Sequence, residues 1–206
     1  MVRLGGNGYN LPHFPPTEWF PMLTHSDQTL LIEALATQLG SLLRGRGLYV
    51  VTAESCTGGW VAESITQVAG SSGWFDRAFV TYSNDAKREM LGVRPKTLEQ
   101  HGAVSKAVVE EMAKGALKRS RGTFAVAISG IAGPDGGSEE KPVGTVWLAW
   151  SIQGRVDSCQ VCLPGERRDV RSAAVSLALQ GLLVRIRDWM DLQPPEDFVV
   201  TEANDT

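Results

Sequence analysis

Apolar positions along this chain follow two rhythms, one of amphipathic helices and one of short buried strands, and their alternation predicts an α/β domain. Leu31, Leu35, Leu39 and Leu42 share one helical face and predict a helix over 27–44, stopped near Gly45 and Gly47. Residues 48–53 are short, apolar and β-branched, which predicts a buried strand; Trp60, Val61, Ile65 and Val68 then return to helical spacing. Residues 78–82 read as a second strand, Asn84 as a helix cap, and 85–91 as a short helix closed by Gly92. Ser105 opens a further helix whose face is Val108, Val109, Met112, Ala116 and Leu117. Residues 123–129 form another buried strand pattern that runs into Gly130-Ile131-Ala132-Gly133-Pro134-Asp135-Gly136-Gly137, too rich in glycine for a regular element. Runs at 143–152 and 156–163, joined through Gln153-Gly154, read as a hairpin and therefore as an antiparallel part of a mixed sheet. A last helix is expected over 168–187.

The two ends break these rhythms. Residues 1–26 hold Gly5, Gly6, Gly8, Pro12, Pro15, Pro16 and Pro21 without periodicity, so an irregular leader is expected there, followed by one domain over 27–187. Residues 188–206 carry six acidic groups and no Lys or Arg, which predicts a disordered acidic tail. The formal charge of the chain is −3, yet residues 1–187 hold 20 basic against 17 acidic groups. That mildly basic body suits a small anionic substrate and falls short of the dense basic surface of a nucleic-acid binder. A mean hydropathy of −0.09, with no apolar run near the ~20 residues of a membrane span and no secretory pattern at the start, predicts a cytoplasmic, non-membrane protein. Cys56, Cys159 and Cys162 show no zinc-like spacing and read as reduced thiols, the last two on opposite faces of a strand.

The chemistry concentrates at Thr52-Ala53-Glu54-Ser55-Cys56-Thr57-Gly58-Gly59, where a Ser hydroxyl falls between a strand and a glycine-opened helix. At such a corner the first helical N–H groups lack partners, so Ser55 is either a nucleophile beside backbone donors or a helix-capping residue. A Ser nucleophile needs a base. His13 and His25 fall in the leader and His101 between elements, which leaves Lys87 as the main candidate, in a first helical turn where the macrodipole disfavours its charge. Tyr82 ends the preceding strand and could share proton transfer; a solvated Lys and a rim Tyr are the plainer alternative. The glycine loop has neither a Gly-Lys-Ser/Thr ending nor a G-x-G-x-x-G spacing, so no ATP or dinucleotide cradle is read from it. Asp135, Glu139 and Glu140 suit either a hard cation or plain solvation, and Arg167, Arg168 and Arg171 either a phosphate or a solvated face.

Taken together, Ala53 to Gly59, Val80-Thr81-Tyr82-Ser83-Asn84, His101-Gly102-Ala103-Val104-Ser105, Ser129 to Gly137 and Lys141-Pro142-Val143-Gly144-Thr145-Val146 resemble the CinA C-terminal domain family. Within it the resemblance is to the stand-alone nicotinamide-nucleotide amidases and covers about residues 28–187. It implies a three-layer α/β/α sandwich with a mixed, mainly parallel sheet. It implies hydrolysis of nicotinamide mononucleotide to nicotinate mononucleotide and ammonia in pyridine nucleotide salvage, in a homo-oligomer, with no metal or organic cofactor. Carried onto this chain, Ser55 is the nucleophile, Lys87 the general base and Tyr82 its partner in proton transfer. Thr57, Gly58, Gly59 and Gly130 supply oxyanion donors, Asn84 lies in the substrate site, and Arg167 and Arg171 are the phosphate contacts. Glu166 stands where the family commonly has Asp. Longer CinA proteins carry an N-terminal domain that 26 leader residues cannot encode. A non-catalytic nucleotide-binding or competence-associated module is the alternative within the family.

Overall fold

A computed structural model describes residues 3–4 and 24–192. The expected leader and tail lie largely outside them. Six strands form one sheet in the order β1-β6-β5-β4-β2-β3, with β1 at Arg3–Leu4, β2 at Val50–Glu54, β3 at Phe75–Val80, β4 at Phe124–Gly130, β5 at Thr145–Ile152 and β6 at Arg155–Cys162. β2 pairs in parallel with β3 and β4, whereas β4–β5, β5–β6 and β6–β1 are antiparallel. Four strands therefore share one direction while most pairings are antiparallel, because the hairpin places β5 between two co-directional strands. Gln153 and Gly154 both take positive φ, 46° and 84°, the backbone that a two-residue hairpin turn requires.

Among the described residues six α-helices cover the sheet: α1 at His25–Leu43, α2 at Trp60–Thr66, α3 at Asn84–Leu91, α4 at Pro95–His101, α5 at Lys106–Lys118 and α6 at Arg167–Asp191. The strands alternate faces, so Phe124, Val126 and Ile128 of β4 join the core of α1, α2 and α6, while Ala125 and Ala127 join that of α3, α4 and α5. This is the three-layer arrangement. The second face is lined by Ala53, Ala125, Ala127 and Ala149, small residues that let α5 lie close to the sheet. α5 in turn receives α3 at Gly115, where a Cβ would stand 2.0 Å from the Leu91 carbonyl oxygen. That packing seats α3, the helix that carries Lys87.

Most element boundaries shift by one to four residues from the sequence reading, and one helix was not expected. α3 begins at Asn84 and is capped by Ser83, whose Oγ accepts from Ala86 N at 3.0 Å, so Asn84 is the first helical residue and not the cap. β3 stops at Val80, leaving Tyr82 beyond the strand. α4 was not expected, since Pro95-Lys-Thr-Leu-Glu-Gln-His101 is a single polar turn or two with one buried leucine. α6 runs to Asp191, past the expected limit at 187. No helix among the described residues is long and apolar enough to cross a membrane.

Candidate active site

The corner after β2 is organised by a residue that periodicity did not single out, Glu54. Its side chain is fully buried at the last strand position. One carboxylate oxygen accepts from Thr57 Oγ1 at 2.7 Å, Gly59 N at 3.0 Å and Val61 N at 3.1 Å; the other accepts from Thr52 Oγ1 at 3.1 Å and Ala62 N at 2.9 Å. Five donors converge on one anion at the N-terminus of α2, where the unpaired amides and the helix dipole favour negative charge. The signal was present in the sequence as an acidic residue closing a buried apolar run just before a glycine-opened helix. Glu54→Gln turns one acceptor into a donor facing these N–H groups, and is expected to cost at least about 3 kcal/mol, read as a lowered midpoint in urea unfolding at unchanged slope.

Glu54 also corrects the expected oxyanion donors. Gly59 N–H is committed to its carboxylate, and Gly58 N–H donates to Ser55 O at 3.0 Å, so neither faces a substrate. Gly130 lies within β4 opposite Val146, and an added Cβ there would meet Val146 Cγ2 at 2.7 Å, so its glycine serves strand packing. Among the described residues the amides of Cys56 and Thr57 donate to no other residue.

Ser55 and Lys87 come together. Lys87 Nζ lies 3.0 Å from Ser55 Oγ and donates to Thr81 O at 2.8 Å. Thr81 is itself held by its N–H to Glu54 O at 2.8 Å, which extends the β2–β3 ladder past the end of β3. The Lys87 side chain is 1 % exposed and that of Ser55 8 %. Burial pushes the Lys87 ammonium below its ordinary value of 10.5, and the ionised Cys56 sulfur would raise it again. Burial, however, pushes the Cys56 thiol up to about 11, so at neutral pH that sulfur is uncharged and leaves the lowering of Lys87 unopposed. Desolvation is thus the leading cause of the lowering, a contribution that the sequence reading, which invoked the helix dipole, did not include. Cys56, neutral and buried, is also no rival nucleophile.

The other expected residues are placed differently. Tyr82 is 64 % exposed, and its hydroxyl accepts from Arg167 Nη2 at 3.1 Å; Ser55 and Lys87 are not among its hydrogen-bond partners. Arg167 also donates through Nη1 to Gly133 O at 2.7 Å, joining α6, the glycine loop and the segment after β3 at the rim. Arg171 instead reaches inward, from Nε to Cys56 O at 3.1 Å and from Nη2 to Thr57 O at 2.9 Å. Asn84 is exposed at the start of α3. His101 is exposed, and its carbonyl accepts from Lys141 Nζ at 3.0 Å, while His25 pairs with Asp169 Oδ1 at 2.9 Å; His13 lies outside the described residues. No group of three His, Cys, Asp or Glu side chains among the described residues is placed to hold a metal ion. The three cysteines are free, Cys159 buried and Cys162 exposed.

Fold and site define an α/β/α protein with a buried Ser–Lys pair at a strand-to-helix corner. Residues 32–186 match the model of the CinA C-terminal domain, and the chain belongs to that family. It is 61 % identical over 149 residues to the nicotinamide-nucleotide amidohydrolase PncC of Escherichia coli K12, covering 72 % of this chain and 90 % of that protein. A CinA-like protein of Akkermansia muciniphila is 52 % identical over 142 residues, which is 68 % of this chain but only 34 % of that longer protein. Among solved structures, the competence/damage inducible protein CihA of Agrobacterium tumefaciens superposes with a TM-score of 0.74 at 50 % identity, covering 76 % of this chain and 96 % of that one.

Proposed function

We propose that this protein is an amidohydrolase that converts nicotinamide mononucleotide to nicotinate mononucleotide and ammonia in pyridine nucleotide salvage. The observation that carries the reading is the buried Lys87 amine 3.0 Å from Ser55 Oγ, with its own charge disfavoured by burial. A neutral amine has two N–H bonds and one lone pair. It donates to Thr81 O and accepts the Ser55 proton, so one hydrogen-bond partner orients the base for the other. Ser55 Oγ attacks the carboxamide carbon, the oxyanion falls to the amides of Cys56 and Thr57, and the leaving nitrogen departs as ammonia with the proton that Lys87 took from Ser55, Tyr82 assisting that transfer from the rim. Water then releases nicotinate mononucleotide from the acyl-enzyme by the same proton path in reverse. Arg167, at the exposed rim beside Tyr82 and Gly133, would meet the substrate's phosphate, and Asn84, exposed at the start of α3, would lie in the substrate site. The names of short relatives 55 to 61 % identical to this chain support the substrate. No step calls on a metal or an organic cofactor.

The test is ammonia release from nicotinamide mononucleotide by the purified protein, with nicotinate mononucleotide formed in equal amount. Binding of the nucleotide without any release, across a panel of carboxamides, would instead mark a non-catalytic nucleotide-binding module.

A further inference from the structure

We infer that Arg171 is a positioning residue for the nucleophile corner and not a ligand of the substrate's phosphate. This deepens the amidase reading and rests on it. Arg171 lies one turn into α6, and its guanidinium grips two successive carbonyls immediately after the nucleophile, Cys56 O at 3.1 Å and Thr57 O at 2.9 Å. The ring of Trp60, the first residue of α2, lies 5.4 Å from the guanidinium carbon.

A trans peptide carries its N–H opposite its C=O. Holding Cys56 O toward Arg171 therefore sets Thr57 N–H on the far side of that peptide plane. Holding Thr57 O likewise sets Gly58 N–H, which donates back to Ser55 O at 3.0 Å and closes the turn that starts at the nucleophile. The Thr57 carbonyl also accepts from Trp60 N at 3.3 Å, and the Thr57 hydroxyl donates to Glu54 Oε2 at 2.7 Å. The residue two places after Ser55 is thus clamped between an anion on one side and a cation on the other.

The remaining amides nearby are already committed. Ser55 N donates to Ile128 O, and Gly59, Val61 and Ala62 donate to Glu54. Arg171 therefore aims the Thr57 amide directly, and the Cys56 amide only through Gly58 N–H, which holds the Ser55 carbonyl of the same peptide. A planar fork holds the two carbonyls from two nitrogens in a fixed geometry, whereas an ammonium offers only rotatable donors on a single atom and fixes their relative direction less well. Arg171 also favours negative charge at this corner, since it works against the burial that raises the Cys56 thiol. Arg167 donates one N–H of each terminal nitrogen to Gly133 O and Tyr82 Oη at the exposed rim, which leaves the second N–H of each for a phosphate there.

The experiment compares wild type, Arg171→Lys and Arg171→Met in three measurements. The first is the rate at which a fluorophosphonate modifies Ser55, forming the Oγ–P bond as fluoride leaves and Lys87 takes the proton, with Ser55→Ala as blank. The second is ammonia release from nicotinamide mononucleotide and from its riboside, which has the same amide and no phosphate. The third is Tm. For Arg171→Met the expected result is a kcat lowered about 10- to 100-fold on both substrates, a KM for the nucleotide within about twofold, and phosphonylation slowed to a similar extent. Arg171→Lys should fall between Arg171→Met and wild type. A KM raised on the nucleotide alone, with the riboside unaffected, would overturn the inference in favour of a phosphate ligand. Rates lost only in step with Tm, or unchanged in both variants, would overturn it in favour of a bystander. Should wild type release no ammonia from either substrate, the amidase reading fails, and the phosphonylation rates still decide the role of Arg171.

Discussion

Ser55→Ala is expected to lower ammonia release from nicotinamide mononucleotide by at least about 10³-fold, with the nucleotide still bound and Tm changed by no more than a few degrees. The hydroxyl makes one side-chain contact, to Lys87 Nζ, and the turn around it is held by backbone bonds that an alanine keeps: Ser55 N to Ile128 O and Gly58 N to Ser55 O. Chemistry and architecture are therefore separable at this position. Without Oγ no acyl-enzyme can form, and the residual rate is that of water attacking an amide held near the corner. The measurement is ammonia release alongside calorimetric binding of the nucleotide to the variant. Equal rates in wild type and variant would remove Ser55 from the mechanism, whatever the fate of the other assignments.

Lys87→Met is expected to act in opposite directions on rate and stability. Methionine fills the same buried volume without a lone pair, so ammonia release should fall by about 10²- to 10⁴-fold. Stability should not fall with it. The folded-state value of Lys87 lies below its ordinary 10.5, so between the two values the unfolded chain binds more protons and wild-type stability rises with pH. Methionine removes that dependence, and the variant's gain over wild type should grow as pH drops below 10.5 toward the lowered value, offset by the Thr81 carbonyl left without its Lys87 donor. Activity has the matching sign. The base works only when neutral, so the wild-type rate should fall about tenfold per pH unit below its folded-state value. Paired pH profiles of kcat/KM and of Tm check both halves; turnover lost only in proportion to Tm would make Lys87 a structural residue.

The layers and the hairpin were legible because they depend on repeated local signals, the apolar recurrence of α1, the β-branched run of β2 and the Gln153-Gly154 turn. The buried face of α1 is nevertheless Ile32, Leu35, Ala36, Leu39 and Leu43, and Leu31, expected on it, is exposed. α4 was not legible, since one buried Leu98 behind Pro95 gives no period to count. Ser55 and Lys87 were found as a pair because each stood at an element junction. The reason given for Lys87 was incomplete: burial is a property of the packed layers and leaves no trace in a helix position. Glu54 shows the converse limit. A carboxylate inside an apolar strand looks like an interruption until the five donors that meet it are in place, and only then does it follow that Gly58 and Gly59 have no amide to spare. The placing of Tyr82 turned on two residues, the distance between a strand ending at 82 and one ending at Val80.

The contact of Gly115 with the Leu91 carbonyl extends the functional footprint well beyond the residues that meet substrate. α3 rests on α5 backbone to side-chain-free backbone, at a separation that leaves no room for even a methyl group. Lys87 rides on that helix, and its amine has to arrive within hydrogen-bond range of a serine borne by a different layer of secondary structure. A glycine at 115 that would pass for a weak point in a helix thus sets the depth at which α3, and with it Lys87, sits.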